Sequence, residues 1–211
     1  MSLKNKRILI TAGPTWVSID SVRVISNIAT GETGILLAEK LQNLGARVTL
    51  LLGPADTCCL NKKIKLLRFG FFDELKDKII QELKYKKYDI VIHSAAVSDY
   101  KPLKTYFHKI KSGIKKWRLD LIPTEKIIDV IKRIDKSIFL VGFKFEPNAA
   151  KLLLIKRARS LMCCLGSDLV VANTINQNRY TAYIVNQDKI YGPIWNRKNL
   201  AEKLIKIITN Y

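Results

Sequence analysis

Short apolar runs alternate with longer, periodically apolar stretches along this chain, and the alternation predicts strands and helices in turn. Ile8-Leu9-Ile10 opens a strand over 8–11, and residues 35–43 follow as a helix that stops near Gly45. A second strand spans 47–52 and is closed by Gly53-Pro54. Over 72–86 the residues Leu75, Ile79, Ile80 and Leu83 recur at helical spacing and share one face. The most strongly apolar strand, 88–93, comes next, then a helix over 124–135 with Thr124 placed as its N-cap. A strand over 138–143, a long helix over 147–165 with Pro147 near its first turn, and a short strand over 168–172 continue the rhythm. Residues 180–185 and 189–191, joined through Asn186-Gln187-Asp188, form a predicted hairpin, and a helix over 200–209 closes the chain.

Alternating strands and helices imply an α/β fold: a Rossmann-like three-layer domain with a mostly parallel central sheet, here with a C-terminal β-hairpin appended. Runs without a polar member, such as Ile90-Val91-Ile92, suit strands covered on both faces. With 211 residues, no internal repeat and no low-complexity linker, one domain is expected. Such sheets bind ligands outside the carboxyl ends of their strands, which puts the loops after Thr11, His93, Phe143 and Ala172 on one predicted rim. The first of these holds a Gly13-Pro14 turn, a polar connection with Arg23 and Asn27, and Thr30-Gly31-Glu32-Thr33-Gly34 leading into a helix. Backbone N–H groups and the positive helix end face an anion there. The same pattern also fits an ordinary βα loop.

Charge narrows the partners. Thirty-seven Lys and Arg against eighteen Asp and Glu give +19, which favours anionic ligands. The lysines are scattered through nearly every helix, with no basic tail or aromatic-interleaved sheet, so nucleic acid is not the expected partner. No apolar run approaches the ~18 residues of a membrane span, and no signal-type segment precedes the first strand. A cytoplasmic protein without a membrane partner is expected. Adjacent cysteines rarely bridge, so Cys58-Cys59 and Cys163-Cys164 are read as reduced thiols, some of them core fillers. With only His93 and His108 and no Cys/His ligand spacing, no metal-ligating set is expected. Residues 101–118 hold seven Lys or Arg plus His108 and no acid. They are either a solvated loop or a cationic flap that closes over phosphates.

A nicotinamide-dependent oxidoreductase needs G-x-G-x-x-G after its first strand and an acid at the end of its second. This chain has Ala12-Gly13-Pro14-Thr15 and Leu51-Leu52-Gly53-Pro54 instead, leaving that reading, like a nucleotide-binding module without chemistry, as the alternative. A more specific pattern runs through the loops: TAGPT at 11–15, ID-x-VR-x-ISN at 19–27, TG-x-x-G at 30–34, SAAVSDY-x-P at 94–102 and KIK at 109–111. VGFKFE at 141–146 and DLVVAN at 168–173 follow. In this order the motifs resemble those of the phosphopantothenoylcysteine synthetase (phosphopantothenate–cysteine ligase) family, over almost the whole chain.

The resemblance implies a step of coenzyme A biosynthesis. The carboxylate of 4′-phosphopantothenate attacks the α-phosphate of a nucleotide, usually CTP in bacteria and ATP in eukaryotes, and pyrophosphate leaves. L-cysteine then displaces the nucleoside monophosphate, and Mg2+ accompanies the triphosphate. Lys109 matches the flap lysine that closes on the triphosphate, and Asn27 the asparagine that contacts the reacting acyl group; these two are the implied catalytic residues. An Asn27 side-chain N–H suits a developing oxyanion, although a helix or turn cap is the commoner use of such a residue. Arg23, Ala95, Ala96 and Asp99 match substrate contacts, with helix capping as the rival role for Asp99. Gly13, Ala29, Gly31, Gly34, Asp99, Lys109, Phe143 and Asn173 match nucleotide contacts, Phe143 against the base. Where many relatives read N-x-SSG this chain has Asn27-Ile28-Ala29-Thr30-Gly31, and Ser160 stands where a second lysine of K-x-x-x-K falls. Both departures leave CTP and ATP open. The chain resembles the stand-alone members rather than those fused to a decarboxylase. The family's usual homodimer is the expected assembly, with Arg23 reaching the neighbour's site, and a monomer with a complete site is the alternative.

Overall fold

The computed structural model describes residues 3–56 and 60–210, so Cys58-Cys59 lies outside the described residues. From β1 (Arg7–Ala12) the chain passes through a small hairpin, β2 (Trp16–Ser18) and β3 (Val24–Ser26), into α1 (Glu32–Asn43) and β4 (Arg47–Leu52). β5 (Lys65–Arg68), α2 (Phe72–Tyr85) and β6 (Ile90–His93) follow. A ribbon of β7 (Tyr100–Pro102) and β8 (Leu121–Pro123) precedes α3 (Ile127–Ile134), β9 (Phe139–Phe145) and α4 (Lys151–Leu165). β10 (Leu169–Asn176), β11 (Arg179–Val185), β12 (Ile190–Ile194) and α5 (Arg197–Thr209) complete it.

Eight strands form one sheet in the order β12-β11-β10-β9-β6-β1-β4-β5. The six from β10 to β5 are parallel, and β11 and β12 are antiparallel additions at one edge. The predicted parallel sheet and hairpin are therefore both present. Side-chain alternation builds the layers: Ile8, Ile10 and Ala12 join the core under α1 and α5, whereas Leu9 joins the core under α2 and α3. A third cluster seats Leu154 and Ala158 of α4 against Val170, Ala172, Tyr183 and Val185. Burying each such Leu or Ile contributes about 1.5–3 kcal/mol, so the continuous apolar runs locate the sheet unaided. No helix among the described residues is long and apolar enough to cross a membrane.

Element ends depart from the pattern where local backbone geometry overrides it. α3 begins at Ile127 and Thr124 is not its cap. Instead the Thr124 hydroxyl donates to the Ser98 carbonyl at 2.6 Å, tying β8 to the loop after β6. Pro147 lies outside α4, because Asn148 adopts a left-handed φ of 54° and the helix starts only at Lys151. α5 starts earlier than expected, at Arg197, where Asn196 Oδ1 accepts the Asn199 N–H at 2.8 Å. β5 was not anticipated; its mostly exposed residues give it no apolar signature. Cys163 and Cys164 are exposed on α4 and are not core fillers.

Candidate active site

β1 lies between β4 and β6, so the chain leaves β1 toward one edge of the sheet and returns to its other side for β6. The crevice at the carboxyl ends of β1 and β6 is thus the topological switch point, where open α/β sheets bind ligands. Beyond the strands the two loops stay laced together. Ser94 N–H donates to the Thr11 carbonyl (3.1 Å), Ala96 N–H to that of Gly13 (2.9 Å), and Thr15 N–H back to that of Ala96 (3.3 Å). Thr15 Oγ1 accepts the Ser98 N–H at 2.9 Å. Thr11 Oγ1 lies 2.8 Å from His93 Nδ1 and accepts the Ala95 N–H at 3.3 Å. Burial pulls the His93 pKa down to about 4, so the imidazole is a neutral structural group. No sequence signal marked Thr15 or Ser98 as the lacing that fixes Ala95 and Ala96.

Backbone closeness shapes the nucleotide side. Gly13 and Gly31 hold left-handed φ values of 80° and 73°, a conformation that costs other residues roughly 1–2 kcal/mol. A Cβ on Gly31 would come within 3.1 Å of Gly13 N, and one on Gly34 within 2.4 Å of Ala12 Cβ. α1 therefore starts directly against the crevice. Gly31 supplies no side-chain cap and Thr30 Oγ1 accepts only the Glu32 N–H, at 3.4 Å, so the next N–H groups of the first turn and the positive end of the helix face an anion. Ala29 is half-buried just before it. Phe143, expected at the very end of its strand, and Asn173, expected in the loop beyond its own, both lie within strands, because β9 and β10 run on to Phe145 and Asn176. Phe143 packs on the core under α1 and α5, and Asn173 continues the Leu169 and Val171 face of β10 on that same side.

The polar side chains are more committed than sequence implied. Asn27 donates through Nδ2 to the carbonyls of Ala96 (3.1 Å) and Val97 (3.0 Å). Its N–H groups tie its loop to residues 96–97, caps no helix, and an oxyanion receives one only if such a bond opens. Asp99 also caps no helix; its carboxylate pairs with Lys126. Arg23 donates through Nη1 to Asp20 Oδ2 (2.6 Å) and the Ile110 carbonyl (3.3 Å), and its guanidinium carbon lies 5.6 Å from the Trp117 ring centre. Lys109 and Lys111, on either side of Ile110, are exposed and form no ion pair among the described residues.

Known proteins share this architecture. A structure described as the DNA/pantothenate metabolism flavoprotein from Streptococcus pneumoniae superposes with a TM-score of 0.87 at 26% identity, covering 98% of this chain and 99% of that one. The C-terminal domain of a coenzyme A biosynthesis bifunctional protein CoaBC gives a TM-score of 0.79 at 26% identity, covering 100% and 97%. In sequence, the CoaBC protein of Thermococcus kodakarensis is 38% identical over 207 residues, 96% of this chain and 51% of its own length. The chain thus spans about half the length of the curated relatives it matches. Residues 3–211 match the family described as DNA/pantothenate metabolism flavoprotein C-terminal domain, and the chain belongs to that family.

Proposed function

We propose that the chain joins 4′-phosphopantothenate to L-cysteine as an amide, at the expense of a nucleoside triphosphate, within coenzyme A biosynthesis. One observation carries this reading: the TAGPT loop, the Asn27 loop, the start of α1 and the SAAVSDY loop all meet at the β1–β6 switch point. The coenzyme A role named for the relatives supports it.

The reaction brings anions together, and the crevice supplies donors for them. A carboxylate oxygen of phosphopantothenate bonds to the α-phosphorus and pyrophosphate leaves. The cysteine nitrogen then bonds to the acyl carbon, the nucleoside monophosphate leaves, and the amine releases a proton. The α1 start and Gly13 backbone take triphosphate oxygens, with Lys109 closing over them. The small side chains of Ala95 and Ala96 let the pantothenate group reach the backbone beside Asn27, whose amide turns from Val97 to the acyl oxygen. Phe143 lies against the base, Asn173 and Asp99 hold the remaining polar edges, and Arg23 with Lys111 adds positive charge. Among the described residues no three metal-ligating side chains cluster. Mg2+ would accompany the triphosphate as part of the substrate and offset its negative charge. CTP is the first choice of nucleotide and ATP the second. The reading places the enzyme in the cytoplasm as a homodimer, with the β12 edge of the sheet available to a second copy.

The test is pyrophosphate release with CTP or ATP, phosphopantothenate and cysteine, each omitted in turn. Release that needs nucleotide and phosphopantothenate, and product that further needs cysteine, is expected. A nucleotide bound without release under any mixture would reduce the protein to a binding module. Asn27→Asp should lower kcat by on the order of a hundredfold or more, since it removes a donor and adds a negative charge beside the acyl oxygen.

A further inference from the structure

The basic segment between β7 and β8 touches the body of the protein at few points. Leu103 N–H donates to the Asp120 carbonyl (2.8 Å) and closes the base of the excursion, and Tyr106 N–H donates to the Ile19 carbonyl (3.0 Å). Phe107, which follows, is 93% exposed. The chain returns to the body at Ile110, half-buried between the exposed Lys109 and Lys111. There the Ile110 N–H donates to Asp20 Oδ2 at 3.1 Å, and the Ile110 carbonyl accepts from Arg23 Nη1 at 3.3 Å. The same Nη1 donates to the same Asp20 oxygen at 2.6 Å. One carboxylate oxygen and one guanidinium nitrogen therefore grip a single peptide residue of the lid from both sides.

Asp20 is built for this and for nothing in the proposed chemistry. Its side chain has 0% of its surface exposed. Its other oxygen, Oδ1, accepts the N–H groups of Val22 (2.9 Å) and Arg23 (2.8 Å), shaping the turn that presents Arg23. Burial opposes the charged form, but the Val22, Ile110 and Arg23 N–H groups and the guanidinium outweigh it and hold the pKa at about 2. The carboxylate is thus charged throughout the working range, and every bond it accepts is charge-assisted. Consecutive Cα atoms are about 3.8 Å apart, so fixing Ile110 fixes where the stems of Lys109 and Lys111 begin.

We propose that Asp20 is a positioning residue: acting through Arg23 and the backbone of Ile110, it aims Lys109 at the triphosphate. The inference rests on the ligase reading given above. Losing Asp20 leaves Lys109 chemically intact but spread over many lid conformations, so the charge reaches the phosphates in a smaller fraction of encounters.

The decisive experiment combines kinetics with hydrogen exchange. Asp20→Asn is expected to lower kcat/KM for the triphosphate by about ten- to a hundredfold, the range of a lost charge-assisted hydrogen bond, with KM for L-cysteine unchanged. In a Lys109→Ala background the same change should cost several-fold less than in wild type, because most of its effect passes through that lysine. The Ile110 amide, followed in unliganded protein by NMR, should exchange at least about tenfold faster in Asp20→Asn. Full additivity with Lys109→Ala, or an unchanged Ile110 exchange rate, overturns the proposal. Should Asp20→Asn not fold, Ile110→Pro deletes the donor from the lid side and leaves the hairpin turn alone; wild-type kcat/KM in that variant overturns the proposal equally. The two readings fail differently. A wild-type protein that releases no pyrophosphate sinks the ligase, whereas an active wild type with an indifferent Asp20→Asn sinks the clamp alone.

Discussion

Gly31 and Gly113 both hold left-handed backbone, at φ 73° and 86°, in opposite surroundings. A side chain on Gly31 would strike Gly13 N at 3.1 Å and Leu52 Cδ1 at 3.2 Å, while one on Gly113 would meet nothing within 4 Å. The first belongs to the packed rim, where backbone atoms are brought close and held. The second belongs to the proposed lid, where the exposed Lys109 and Lys111 flank the residue held by Asp20 and Arg23. The contrast separates two needs of the proposed reaction. Donors that must be in place before the nucleotide arrives are written into packing, and charges that must follow it in are left on a loop.

Five measurements break or sharpen that division. The largest effect belongs to the lid and leaves stability untouched. Lys109→Ala should cut turnover by on the order of a hundred- to a thousandfold. Its unfolding free energy should stay within about 0.5 kcal/mol of wild type by denaturant titration, as for surface changes generally. Acid separates the regions next. His93 is held neutral down to about pH 4, while the unfolded chain binds a proton below 6.5, so stability should fall as pH drops through that window. The slope is about 1.4 kcal/mol per pH unit at most, and His93→Gln should flatten it. The lid clamp behaves otherwise. With the Asp20 pKa lowered from 3.8 to about 2, its contribution is present above 3.8 and lost only as pH falls toward 2. Ile110 exchange protection should therefore survive at a pH where the rim has already weakened. Smaller is the cost of Gly31→Ala, about 1–3 kcal/mol from crowding, read as a lower denaturant midpoint. Smallest is Gly113→Ala, about 1 kcal/mol, because only the left-handed backbone and no crowding opposes the new side chain. Equal costs for the two glycine changes would remove the distinction between packed rim and open lid.

The sheet was legible in the sequence because strands such as Ile90-Val91-Ile92 carry no polar residue, and only a doubly covered strand tolerates that. The glycine turn and the start of α1 were legible for a similar reason: Gly13 and Gly31 have local jobs that no other residue type does cheaply. What stayed hidden depended on partners distant in sequence or on geometry without a residue signature. Thr124 looks like a cap until its hydroxyl is found on Ser98, and Asn196 looks like loop until its oxygen meets the Asn199 N–H. Arg23 was expected to face substrate. Its nearest claim is Asp20, three residues earlier, and the second is a backbone carbonyl eighty-seven residues later. Asn27 was read for the N–H groups it offers, and the fold spends both on carbonyls of the SAAVSDY loop.

The lacing of residues 94–98 to residues 11–15 carries a consequence for how this protein tolerates change. Its central rungs, Ala96 N–H to Gly13 and Thr15 N–H to Ala96, involve main-chain atoms alone. Gly13 aside, whose left-handed backbone needs glycine, replacement of a side chain by anything but proline leaves those rungs standing. An insertion or deletion in either loop, by contrast, slides one strand of the lace past the other and carries the nucleotide end out of step with the acyl end. At the main-chain rungs other than Gly13, sequence drift is therefore cheaper than drift in length.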